Sequence, residues 1–322
     1  MSEANESKND DSNQEEQCDT TRQPAVFVNH GAGPMPYLEH IGQSSYEYVN
    51  QAFVIESCQS LGKLIEKCKP QALCVVSAHW EEAQPTVLYH AAPSLLFDYW
   101  DVPKAAFEIE YAAPVHLKLT DEVVRLLKEV GGHQEVVLNK KRGYDHGLFI
   151  PLKLARAKAD IPLIQVAVPA VSNDKRETAR QSLRLGAILN SLRDEGVMVV
   201  GSGMSYHNLQ RLKDGKEDCK AKSVKFNEWL VDTVTKQTVQ QSVVKLQNWM
   251  DAPHALDCHP TEEHFLPLLA CVGTNMSVKE MDQLFARDAD ADDKEDAQGE
   301  KMKVELQTGI GQVSALSGFV FL

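Results

Sequence analysis

Ala72–Ala78, ALCVVSA, is a nearly unbroken apolar run that ends against His79. It is rich in valine and lacks the polar alternation of a half-exposed strand, so it reads as a β-strand buried on both faces. The same signal recurs on either side of it. AVFVN (25–29) follows Pro24, and TVLYH (86–90), PLIQVAV (162–168) and VMVVGS (197–202) repeat the pattern downstream. Between these runs the apolar spacing turns helical. The first such stretch is Tyr46–Cys68, with Tyr46, Val49, Phe53, Ile55, Leu61 and Ile65 as core contacts; the next are Leu117–Val130 and Lys175–Asp194. Further helices are predicted over Val224–Val239 and Thr261–Val272, with closing strands near Val304–Thr308 and Val313–Leu322. Strands that take turns with helices predict an α/β fold: a single domain with a central, largely parallel or mixed β-sheet flanked by helices. In such sheets ligands collect at the carboxyl ends of the strands.

The formal net charge of -13, from 33 Lys+Arg against 46 Asp+Glu, disfavours nucleic acid as a partner. Two segments concentrate that acidity. Residues 1–24 and 287–300 each hold seven acidic and two basic side chains, leaving 29 basic and 32 acidic residues for the rest. Residues 1–24 are expected to be a disordered acidic tail, residues 25–322 the domain, and residues 287–300 an acidic surface loop. That loop fails as a calcium site: counted from Asp288, Asp293 stands where a glycine is needed and Gly299 where a bidentate glutamate is needed. With 43% hydrophobic residues the body can bury a large core. No apolar run approaches a membrane span, MSEANESKNDD lacks a signal-peptide core, and the seven cysteines include no C-x-x-C pair. A cytoplasmic protein with reduced thiols is expected.

All eleven histidines lie in the body, and three of them, His30, His79 and His207, directly follow buried strands. Imidazoles delivered to one rim by three strands make a metal-site geometry, although any single one is about as often a hydrogen-bonded, half-buried histidine. His146 lies in YDHGLF, and His259 and His264 in CHPTEEHFLPLL. The last two are five apart with Pro260 between them, so they cannot share a helix face as a zincin pair would. Thr261 reads as an N-cap with Glu262 and Glu263 in the first turn, which turns His264 inward. GAGPMP lacks the third glycine of a dinucleotide fingerprint, and Pro34 and Pro36 replace the helix that should follow. No P-loop or serine-hydrolase motif occurs, and Ser202 reads as a turn residue. Trp80, Phe97, Tyr99, Trp100 and Phe149 lie beside the histidine segments as pocket walls or core.

In order, NHGAGPMPYL, VVSAHWE, YDHGLFIPL, SGMSYHNL and PTEEHFLPLL resemble the class III extradiol ring-cleavage dioxygenases of the LigB superfamily, in particular the DOPA 4,5-dioxygenase group. The resemblance runs from about Pro24 to the C-terminus. It implies that His30, His79 and His264 hold a metal, that His207 is the catalytic acid/base, and that His146 is a further catalytic residue, either behind the metal ligands or on the oxygen side. It also implies Fe(II) for activity, with Zn(II) able to fill the same site, and a small aromatic diol and O2 as partners. Where the family often reads Thr-Pro-Glu-His, Glu262 stands at the proline, and SLLFDYWDVPKAAF (94–107) corresponds to a substrate-side loop. Two other functions remain open: a non-catalytic Memo-like metal-binding or signalling relative, and a zinc hydrolase built on the same three histidines.

Overall fold

In the computed structural model the described residues are 22–42, 51–170, 173–214, 217–288, 299–310 and 314–322. Residues 1–21 of the expected tail, 289–298 of the expected acidic loop, and Tyr46, Val49 and Val313 lie outside them. The strands are β1 (Ala25–Asn29), β2 (Ala72–Glu82), β3 (Thr86–Leu88), β4 (Val137–Asn139), β5 (Leu163–Pro169), β6 (Val197–Gly203), β7 (Val304–Ile310) and β8 (Ala315–Phe321). The first helices are α1 (Met35–His40), α2 (Gln51–Cys68), α3 (Leu117–Glu129), α4 (His146–Ala155) and α5 (Lys175–Leu189). After them come α6 (Leu209–Asp214), α7 (Glu217–Lys236), α8 (Val239–Gln247), α9 (Ala255–Cys258), α10 (Leu266–Gly273) and α11 (Val278–Asp288).

The strands form one mixed sheet in the order β4-β3-β5-β2-β6-β1-β8-β7. The centre, β5-β2-β6-β1, is parallel, while β3 runs antiparallel to β5 and β8 to both β1 and β7. Alternation along β1 sends Ala25 and Phe27 into one core and Val26 and Val28 into the other, which is why the run is apolar throughout. Cys74 and Val76 against Leu73 and Val75 do the same in β2. One core is filled from α3, α5, α8 and α10, the other from α1, α4 and the C-terminal half of α2.

Several local expectations are corrected. Residues 35–40 do form a helix after GAGP, because Pro36 falls in the first turn, where the missing N–H costs nothing. The helix expected from Thr261 begins only at Leu266; the Thr261 hydroxyl donates to Glu263 Oε1 at 2.9 Å instead of capping the backbone. His79 lies inside β2, not after it. Cys58, Cys74, Cys219, Cys258 and Cys271 are free and buried, but Cys68 is disulfide-bonded, against the expectation of reduced thiols. The chain entering β1 passes beside it, since Gln23 Nε2 donates to the Cys68 carbonyl at 2.9 Å. Among the described residues no helix is long and apolar enough to cross a membrane.

Candidate functional site

Three parallel strands, one turn and the start of a helix bring the histidines together. His30 follows β1 and is pinned by its N–H to the Gly203 carbonyl at 3.0 Å. His79 occupies an irregularity of β2: Ser77 pairs with Ala167 but Glu81 with Val168, so residues 78–80 have no counterpart on β5. A bulge of this kind re-aims a side chain at a sheet rim. His264 ends the turn before α10, and its carbonyl accepts Met204 N–H at 2.9 Å. Gly203 permits that approach, because a Cβ there would collide with the His264 carbonyl. His207 lies beyond β6, its N–H donating to the Cys258 carbonyl at 3.0 Å, and His146 opens α4 behind the N-cap Asp145.

His79 Nε2 lies 3.2 Å from His30 Nε2 and 3.2 Å from His264 Nε2. The proton positions follow from the partners. The Ser202 hydroxyl donates to the Gly147 carbonyl, so its oxygen accepts from His30 Nδ1–H at 3.0 Å. Glu263 Oε1 accepts from His264 Nδ1–H at 3.1 Å. Both Nε2 atoms therefore carry bare lone pairs, and His79 can donate to only one of them. Three nitrogens facing one another with at most one proton repel unless a cation sits among them, and three imidazoles suit zinc, iron or copper. The donor set fits a divalent metal.

The electrostatics agree. Burial, followed by repulsion from the neighbouring imidazoles, holds the pKa values of His30 and His79 well below the ordinary histidine value, so both are neutral ligand-ready rings. Burial and then His207 bring His264 down to about 3, although Glu263 opposes this. Glu263 itself is pushed up by burial, but hydrogen bonding from His207 and His264 overrides this and holds it far below the usual carboxylate range. The His207 ring stacks on His264 at 3.4 Å between centroids, with Nδ1 3.5 Å from Glu263 Oε1. On the opposite side, Asp98 Oδ1 accepts from both the N–H and the Nδ1–H of His146, at 2.9 and 2.8 Å, while Asp98 Oδ2 lies 3.5 Å from His79 Nδ1. Burial raises the Asp98 pKa, but the His146 contacts outweigh that and lower it. The site thus offers three overlapping donor sets: His30, His79 and His264; His79, Asp98 and His146; and His207, Glu263 and His264.

Residues 24–286 match the family described as the catalytic LigB subunit of aromatic ring-opening dioxygenase. The chain belongs to the LigB family. A 4,5-DOPA dioxygenase extradiol of Escherichia coli K12 is 34% identical over 79% of this chain and 86% of that protein. Dioxygenase tasH of Hapsidospora irregularis is 33% identical over 78% and 77%, and a 4,5-DOPA dioxygenase extradiol of Beta vulgaris 32% over 77% and 85%. The crystal structure of an uncharacterized Escherichia coli K12 protein superposes with a TM-score of 0.62 at 27% identity, covering 92% of this chain and 99% of that one. Within the LigB family the chain is a class III extradiol dioxygenase of the DOPA dioxygenase-like group. Neither the Memo-like nor the hydrolase alternative gains support.

In this LigB chain the five histidines singled out from sequence converge, and His259 does not join them. It is fully buried, with Nε2 donating to the Ser205 carbonyl at 3.2 Å. Phe97, Tyr99 and Phe149 form a ring cluster, and Tyr99 lies 5.8 Å from His146. Trp80 is core, and Trp100 is 84% exposed. Sequence reasoning missed Asp98, Glu263 and the role of Ser202. Glu263 directly precedes His264, and a carboxylate beside that histidine was the available signal, whereas Asp98 is 48 residues from His146 and no local pattern marks it.

Proposed function

We propose that this LigB-family chain is a non-haem metal-dependent extradiol dioxygenase that inserts both atoms of O2 into a catechol, opening the ring to a semialdehyde. DOPA is the first substrate to test. The observation that carries this reading is the convergence of the His30, His79 and His264 Nε2 atoms with too few protons to share among them. Fe(II) is the proposed resident ion and Zn(II) the alternative occupant of the same three residues. A bound divalent cation would lower the pKa of a catechol hydroxyl and stabilise the resulting anion, which makes the ring electron-rich.

The chain's own groups would do the rest. His207, with Nδ1 turned to Glu263, has Nε2 left to take the second catechol proton and return it later, a task suited to imidazole as a residue type. His146, locked through Nδ1 onto Asp98, has Nε2 left for the oxygen side. The half-buried Phe97 ring, backed by the buried Tyr99 and Phe149, would exclude water and face an aromatic substrate. Adding catechols in air to protein loaded with Fe(II), and separately with Zn(II), tests the proposal. Oxygen uptake and a yellow product are expected for the iron form. Absence of uptake with every catechol tried would sink the reading, and ester hydrolysis by the zinc form would favour the hydrolase.

A further inference from the structure

Pro151 lies inside α4, where a regular helix would have its N–H donate to the carbonyl four residues earlier. That carbonyl belongs to Gly147, and proline has no N–H to offer it. The Gly147 carbonyl instead accepts the hydroxyl of Ser202 on β6. A serine hydroxyl has one proton, so with that proton on Gly147 the Ser202 oxygen is an acceptor for His30 Nδ1–H at 3.0 Å. His30 then presents Nε2 as a lone pair toward His79, 3.2 Å away. Pro151, Gly147, Ser202 and His30 are all buried, so no solvent competes along this chain. The helix end is held close enough by Gly147, where a Cβ would lie 2.5 Å from Ser77 Oγ and 2.9 Å from the His79 ring.

We propose that Pro151 is a positioning residue for the metal centre. By withholding a helix donor it reserves the Gly147 carbonyl for Ser202, and Ser202 in turn sets the tautomer of His30. An N–H at position 151 would share the Gly147 carbonyl and weaken its hold on the Ser202 hydroxyl, so that in part of the molecules the hydroxyl turns to donate to His30 Nδ1 and the Nε2 face carries the proton. The inference rests on the reading of His30 as a metal ligand, but the tautomer can be read without metal.

The test compares the full-length protein with Pro151→Ala, Ser202→Ala and the double variant. Three quantities are measured: the His30 tautomer in metal-free protein by long-range nitrogen-proton NMR, Zn(II) affinity by chelator competition, and thermal unfolding. Alanine suits a helix interior better than proline, so Pro151→Ala is expected to unfold no earlier than the parent protein. It should nevertheless lose the uniform Nδ1–H tautomer and bind zinc about 10-fold more weakly, in the range for lost outer partners of ligands. Ser202→Ala should show the same loss, and the double variant no more than Ser202→Ala alone. A parental tautomer and affinity in Pro151→Ala, an unchanged tautomer in Ser202→Ala, or losses that add in the double variant would each overturn the proposal. Failure of the parent to bind any divalent ion would defeat the ligand reading instead, and the tautomer comparison would then decide on Pro151 by itself.

Discussion

His259 makes the metal-free protein acid-sensitive in a way that can be calculated. Its ring packs among Phe226, Trp249 and Phe265, with centroids at 5.4, 6.0 and 5.1 Å. Nε2 donates to the Ser205 carbonyl, and Nδ1 has no partner. Burial drives the pKa down to about 3, opposed only in part by the Ser205 contact. An unfolded histidine titrates near 6.5. Below that pH the unfolded chain binds a proton that the folded one refuses. The stabilisation is therefore complete above about pH 6.5 and is lost as the pH falls toward the folded value. At about 1.4 kcal/mol per pH unit, lowering the pH to 5 removes about 2 kcal/mol, a large part of the 5–15 kcal/mol typical of a domain. His259→Gln keeps an amide donor for Ser205 and removes the titration. Urea unfolding of the metal-free protein and the variant at pH 7 and pH 5 should show their stability difference moving by about 2 kcal/mol in favour of the variant at pH 5. A difference that does not change with pH would refute the burial argument.

Replacing His79 by alanine should abolish zinc binding while far-ultraviolet circular dichroism and cooperative unfolding persist, because the ring stands at the sheet rim; loss of folding would show instead that the metal is structural. Gly147→Ala places a Cβ against Ser77 Oγ and the His79 ring. It should cost about 1–3 kcal/mol in urea unfolding and also weaken zinc binding, and parental values for both would contradict the close approach. Asp98→Asn retains an oxygen for the His146 N–H but removes the charge shared with His79. A kcat lower by about 10-fold, with unfolding little changed, is expected from steady-state oxygen uptake; an unaltered kcat would show that the carboxylate does not support His146.

Much of the fold was legible because its signals are local. The nearly unbroken apolar runs of ALCVVSA and AVFVN, buried at every position, and the 3.6-residue spacing of Leu117–Val130 and Lys175–Asp194 depend on neighbours within a few residues. Helices α8 and α11 escaped despite local start signals at Thr238 and Ser277, but other elements escaped because their cause lies elsewhere in the chain. Strand β4 is short and carries the exposed Val137 and Leu138, so no apolar pattern marks it. Helix α4 is apolar on all sides and contains Pro151, which reads as a breaker until its freed carbonyl is seen to serve Ser202. Thr261 looked like a cap, yet its hydroxyl is drawn to Glu263, a carboxylate already held by His264.

By itself the sequence determined the α/β alternation, the placing of His30 and His207 after strands, and, through five ordered motifs, the LigB family. Only the tertiary structure decided which atoms meet: the three convergent Nε2 positions, Asp98 between His79 and His146, Glu263 between His264 and His207, and Ser202 behind His30. The physical reason is separation along the chain. Ser202 and His30 are 172 residues apart and His264 and His79 are 185 apart. Periodicity carries no information across such distances; the parallel order β5-β2-β6-β1, which sets the strand ends side by side, closes them.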